Sequence, residues 1–173
     1  LVRGQTVVLY FAAWTLGLAV VPINVDEPTE KKRHILEHSE AVAVCCWRDY
    51  LDEVRGLQQD LPALHHVVTV TDEGLDPGQR QEARGERHRS IPAPRLSPQA
   101  SRLEDEALIV YTSGTTGAPK GVILTAYNLL VDADGIATWH SLGARDRLMC
   151  VLPIHHVNGT VVTLVTPFYC KGS

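Results

Sequence analysis

The chain has 173 residues, 45% hydrophobic and 21% charged but only 6% aromatic. That make-up suits one soluble globular domain, long enough to bury roughly 70% of the surface its unfolded form exposes. A net charge of −4 argues against nucleic acid as a main partner, because phosphate backbones are bound by basic faces.

From Gln5 to Val25 no residue is charged, which on hydropathy alone resembles a membrane span, or a signal segment with Arg3 ahead of it. Gly17, Pro22 and Asn24 break the run into a helix over 6–18 and a strand over 20–24, so no span is expected. That helix is apolar on nearly all sides and should be buried. Thr29 is placed to cap a helix reaching about residue 39, with acidic residues near its start. "AVAVCCW" (41–47) has the continuous apolar character of a strand buried on both faces. "DYLDEVRGLQQDL" (49–61) reads as a surface helix, and "HHVVTV" (65–70) as another strand. Strands and helices alternating at this spacing predict βαβ units in an α/β fold with a doubly wound, mainly parallel sheet.

Residues 71–106, rich in Arg, Glu, Gly and Pro, cannot bury a core and read as a long polar loop or insertion. Regular structure resumes with strands over 107–111 and 120–124. Thr125 then caps a helix whose Leu129, Leu130, Ala133, Ile136, Ala137 and His140 share one face. "RLMCVLP" (147–153) is expected to be a strand. Val157, Val161, Leu164, Val165 and Phe168 recur at helical spacing after it, and a further strand should begin near "CKGS". The four cysteines (45, 46, 150 and 170) lack C-x-x-C spacing and read as free thiols, mostly buried, in a reducing compartment. This divides the chain into βα units at 1–70, the polar stretch at 71–106 and further βα units at 107–173.

Between the two central strands lies "YTSGTTGAPKGV" (111–122). A turn needs far less glycine and hydroxyl. Gly114 and Gly117 let the backbone approach a ligand closely, so that successive N–H groups can converge on an anion. Ser113, Thr115 and Thr116 add hydroxyl donors and Lys120 a positive charge, the chemistry that binds a polyphosphate. It is not the G-x-x-x-x-G-K-[ST] loop, since Pro119 precedes Lys120 and a strand, not a helix, follows. Without ligand the 112–119 loop is expected to be mobile.

The stretch closely resembles the phosphate-binding signature of the adenylate-forming enzymes, which include acyl-CoA synthetases, luciferases and peptide-synthetase adenylation domains. "LPIHHVNG" (152–159) resembles the acyl-CoA synthetase motif L-P-x-[aromatic]-H-x-x-G, and residues 16–46 resemble the same family's upstream helix–strand–helix–strand. The resemblance implies part of the large N-terminal domain of an AMP-forming acyl-CoA synthetase. Such an enzyme turns a carboxylic acid (a fatty or other organic acid) and ATP into an acyl-adenylate, then an acyl-CoA. ATP, Mg²⁺ and coenzyme A would be its cofactors and co-substrates, and the rest of the parent synthetase its partner, in the cytoplasm. The resemblance further implies that Thr112, Ser113, Gly114, Thr115, Thr116, Gly117 and Lys120 hold the β- and γ-phosphates. Lys120 and His156 would serve catalysis, with His156 beside the acyl carboxylate, and Asn158 and Gly159 would line the acyl pocket. His155 departs from the family's aromatic, and Ala126 from its frequent histidine. The family's downstream Y-G-x-T-E stretch and C-terminal catalytic lysine are absent from these residues, so the chain alone is expected to be inactive.

Other readings compete. His156 near a helix start could be a polar residue without chemistry. "HILEH" (34–38) matches a zinc pattern but lacks a third ligand, so no metal site is expected. The pairs His65–His66 and His155–His156, adjacent in sequence, are not expected to converge. A peptide-synthetase adenylation domain or a non-catalytic nucleotide-binding module would share the phosphate loop.

Overall fold

The computed structural model describes residues 4–72, 74–76, 102–112 and 119–173. Its first helix, α1 (Gly4–Thr15), ends because Gly17 takes φ +70°. That left-handed residue lets Leu18 N–H reach the Ala13 carbonyl (2.9 Å) and Gly17 N–H that of Trp14 (3.0 Å), the paired bonds of a Schellman stop. The uncharged run is cut there, and among the described residues no helix is long and apolar enough to cross a membrane. Contrary to expectation, α1 is not buried all round: Tyr10 is, while Val8 is 64% exposed. Only the stripe carrying Val7, Tyr10, Phe11 and Trp14 packs on a core.

The strand expected at 20–24 reduces to one parallel bridge between Val20 and Leu108. Val20 donates to the Ala107 carbonyl and accepts from Ile109 N–H, both at 2.9 Å. The next donor in that ladder would be Pro22, which has no N–H. Compact units cut across the linear order, with Leu1–Glu27 joining Ala100–Ser173 and Pro28–Gln99 forming the second.

The second unit holds α2 (Thr29–His38), β1 (Ala43–Trp47), a 3₁₀ turn (Arg48–Tyr50), α3 (Leu51–Gln58), β2 (His66–Thr71) and β3 (Gly74–Asp76). β1 and β2 run parallel from Ala43↔His66 to Trp47↔Val70, the expected βαβ unit. β3 returns antiparallel to β2, so regular structure enters the stretch read as a polar loop; its residues 73, 77–101 lie outside the described set. Ile35, Leu36, Val54, Leu57 and Val70 are buried here. β1, however, is an edge strand, and only Cys46 of its five residues is buried. Neighbouring strand residues project to opposite faces, which leaves Cys45 exposed and corrects the expectation for the thiols; Cys150 and Cys170 are half-buried. Thr29 does not cap α2. Pro28 takes that position, and the Thr29 hydroxyl donates to Glu53 at 2.8 Å. Lys32 Nζ reaches the same carboxylate at 2.9 Å, and these two contacts, the lysine's first, hold the Glu53 carboxyl below its ordinary range.

In the first unit, β4 (Glu106–Thr112) pairs antiparallel with β5 (Lys120–Thr125). β5 feeds directly into α4 (Ala126–Trp139) through a capping box. Asn128 N–H donates to Thr125 Oγ1 (3.2 Å), and Thr125 N–H to Asn128 Oδ1 (2.9 Å). Thr125→Ala should therefore cost about 1 kcal/mol, read as a lowered urea midpoint of the unfolding step that includes this unit. Leu129, Ala133 and Ala137 form the buried stripe of α4. Leu130 and His140 fall outside it, both being exposed.

Residues 147–153 do not form the expected strand. A strand needs a neighbour's N–H and C=O groups, and among the described residues only Ser173 offers them from a distance: Leu148 N–H bonds its carbonyl (2.7 Å) and Ser173 N–H that of Asp146 (3.1 Å). The helical spacing after Val157 holds through α5 (Val157–Thr160), a π turn (Val161–Val165) and α6 (Thr166–Tyr169). Pro167 cannot donate to a carbonyl one turn back, and the wider π turn accommodates it. Leu108, Leu129, Ala133, Val161 and Leu164 meet Tyr10 in one core. The chain is thus α/β, with parallel pairing at β1–β2 and Val20–Leu108.

Candidate functional site

The apolar run that resumes at Val122 is the return strand of a hairpin. Its register ends at Thr112↔Lys120, and residues paired across a ladder put their side chains on one face. Hairpin geometry thus brings the hydroxyl and the ammonium together at the mouth of residues 113–119. Both side chains are exposed, and among the described residues Lys120 has no ion-pair partner. Ser113, Gly114, Thr115, Thr116 and Gly117 lie outside the described residues, as does the expected mobility of their loop. Just inside the hairpin, a Cβ on Gly121 would stand 3.1 Å from both the Tyr111 ring and Ile109 Cγ2. Glycine there leaves Tyr111 room to lie against the neighbouring strand.

His156, Asn158 and Gly159 share one turn at the start of α5. His156 is its N-cap residue, in extended conformation, and makes no side-chain capping bond. The imidazole is exposed and is not consumed by ending the helix. Its backbone is well held: His156 N–H donates to the Pro153 carbonyl (3.1 Å), and its own carbonyl accepts from Thr160 N–H (3.0 Å). Gly159 is buried with its open side against Pro153, whose carbonyl carbon would lie 2.6 Å from a Cβ. Asn158 is exposed.

Contrary to expectation, the rings of His155 and His156 do converge, with centroids 4.3 Å apart. They sit in a turn, where adjacent side chains need not diverge as they do along a strand. Partial burial and the neighbouring His156 lower the basicity of His155, against the opposing pull of Glu27 and Asp26.

Two residues that the sequence reading passed over complete this turn. The Ile154 carbonyl accepts from the Tyr10 hydroxyl (3.0 Å) and from Thr160 Oγ1 (2.8 Å). The one sequence signal was a phenol on an otherwise apolar helix face, and nothing in it points to residue 154.

His34 and His38 come within 5.6 Å, centroid to centroid. Among the described residues no three His, Cys, Asp or Glu side chains gather as metal ligands. Two concavities, of about 460 Å³ along the outer face of α4 and about 160 Å³ between α1 and α4, contain neither Lys120 nor His156. The polar groups with recognisable chemistry therefore lie at the hairpin mouth and the 153–160 turn, not in a closed cavity of these residues.

Comparison with known proteins finds relatives along nearly the whole chain. The chain is 36% identical, over 98% of its length, to a sulfoacetate–CoA ligase of Cupriavidus necator, covering 32% of that protein. It is 32% identical, again over 98% of its length, to the long-chain-fatty-acid–CoA ligase FadD15 of Mycobacterium bovis, covering 28% of it. Among solved structures, a malonyl-CoA ligase in a ternary product complex with methylmalonyl-CoA and AMP superposes with a TM-score of 0.72 at 30% identity. The match covers 99% of this chain and 32% of that one. The chain spans about a third of the length of the relatives it matches. Residues 3–173 match the family described as AMP-binding enzyme, and with the hairpin and turn in place the chain belongs to that family.

Proposed function

We propose that the protein to which this chain belongs is an AMP-forming acyl-CoA synthetase acting on an organic acid in the cytoplasm. The carrying observation is the hairpin register, which sets Lys120, without an ion-pair partner among the described residues, opposite Thr112 at the mouth of "SGTTGAP". In the first step a carboxylate oxygen bonds to the α-phosphorus of ATP and the bond to pyrophosphate breaks, so charge builds on the departing group. Lys120, the hydroxyls of Thr112, Ser113, Thr115 and Thr116, and the backbone at Gly114 and Gly117 hold the β- and γ-phosphates and meet that charge. His156, exposed beside the turn, lies against the acyl carboxylate and the adenylate, and Asn158 and Gly159 border the acyl group. Coenzyme A thiol then takes the acyl group and AMP leaves. Mg²⁺ supplies charge neutralisation on the phosphates when bound; the roles assigned here are those of donors and one cation. Relatives that are ligases of sulfoacetate and of long-chain fatty acids support the reaction class while differing in acid.

The test is ATP–pyrophosphate exchange by the full-length protein over a panel of short dianionic, long-chain and aromatic acids, followed by AMP release with coenzyme A. Exchange that depends on a carboxylate, with AMP release stimulated by coenzyme A, is the expected result. Exchange only with amino acids and without use of coenzyme A would identify a peptide-synthetase-like adenylation domain. ATP binding without exchange for any acid would identify a nucleotide-binding module.

A further inference from the structure

Ile154 sits between the motif proline, Pro153, and the two histidines, and its carbonyl is the meeting point of two hydroxyls from different parts of the chain. Tyr10 reaches it from α1, 144 residues away in sequence, at 3.0 Å. Thr160 reaches it from one helical turn beyond His156, at 2.8 Å. Tyr10 is 5% and Thr160 0% exposed, so neither hydroxyl has water as a ready substitute. Burial drives the Tyr10 phenol well above its ordinary range, against a smaller opposite effect of Thr160, and it remains a neutral donor at any working pH. The same turn is closed by His156 N–H on the Pro153 carbonyl and by the bare face of Gly159 against Pro153. Every peptide unit from Pro153 to His156 is thus tied down, while the imidazole of His156 is left exposed and unused by the helix.

We infer that Tyr10 and Thr160 are positioning residues for the adenylation reaction: their hydroxyls jointly pin the Ile154 carbonyl and so set the direction in which His156 is presented to the acyl substrate. The inference rests on the reading of His156 given above. A histidine on an exposed turn would otherwise sample several directions, and catalysis is sensitive to displacements of about 1 Å. Two donors on one carbonyl remove that freedom from below the turn, where substrate does not reach. The phosphate hairpin shares neither bond, so the pair is expected to act on the carboxylate half of the reaction alone.

The experiment uses the full-length protein and steady-state adenylate formation. Tyr10→Phe and Thr160→Val each remove one hydroxyl and keep the packing shape, and each is expected to lower kcat ~10-fold with the KM for ATP unchanged, from the loss of one buried hydrogen bond. Thr160→Ser keeps the hydroxyl and should retain kcat close to that of the parent. In a His156→Ala background, Tyr10→Phe is expected to have little further effect, because its influence passes through that imidazole. An equal loss with and without His156 would show that Tyr10 only supports packing, and would overturn the inference. So would unaltered kcat in Tyr10→Phe, or a Thr160→Ser variant as slow as Thr160→Val. If His156→Ala alone leaves kcat unchanged, the functional reading of His156 fails and the inference falls with it, an outcome separate from the others.

Discussion

Lys120→Ala in the full-length protein should slow carboxylate-dependent ATP–pyrophosphate exchange by ~10²-fold or more, the size of effect that follows loss of a charge contact made in the transition state. The structure supports a strong effect on two grounds. Lys120 is the first residue of β5 and is held opposite Thr112, so its backbone position is set by the ladder and not by a loose loop. Its ammonium has no carboxylate partner among the described residues, so no existing ion pair must break before it meets a phosphate. Lys120→Arg keeps the charge but replaces a compact ammonium with a planar fork, and recovery should be partial. Exchange at saturating acid and ATP measures all three proteins. Unchanged exchange in Lys120→Ala would make the residue a surface decoration.

Gly159→Ala should be nearly as damaging, through a different cause. The added Cβ would run into the carbonyl of Pro153, with the carbonyl carbon at 2.6 Å and Ile154 N at 3.0 Å. These are backbone atoms of a turn already tied by bonds to Tyr10, Thr160 and His156, and no flexible side chain can move aside. Overpacking of this kind costs about 3 kcal/mol. The relaxation that relieves it must shift the His156 turn, for a loss of activity on the order of 10²-fold. Gly135, inside α4 with nothing within 4 Å of its would-be Cβ, is the control: Gly135→Ala should stabilise by up to about 1 kcal/mol, from helix propensity. Thermal melting and pyrophosphate exchange on both variants separate the two cases. Equal behaviour of the two glycine variants would remove the collision as the cause.

What the sequence determined by itself was local. Gly17 ends α1, Thr125 begins α4 with Asn128 as its reciprocal partner, and the apolar spacing after Val157 makes a helix, because each depends on groups within a turn of one another. The "YTSGTTGAPKGV" stretch declared its chemistry for a similar reason: its donors are carried by consecutive residues. Tertiary structure alone decided how strands pair and which faces are covered. Hydropathy could not foresee that "RLMCVLP" would form no strand, with Ser173 as its one distant backbone partner among the described residues, nor that "VVPIN" would stop pairing after Val20 for want of an N–H at Pro22. A strand exists only where a neighbour supplies hydrogen bonds, and a side chain on it is buried only where another element covers its face, which leaves Cys45 exposed beside a buried Cys46. The same limit hid the support of the candidate site. The bonds from Tyr10 and Thr160 to Ile154 join residues with no shared periodicity, and only packing α1 onto the later helices brings them to one carbonyl.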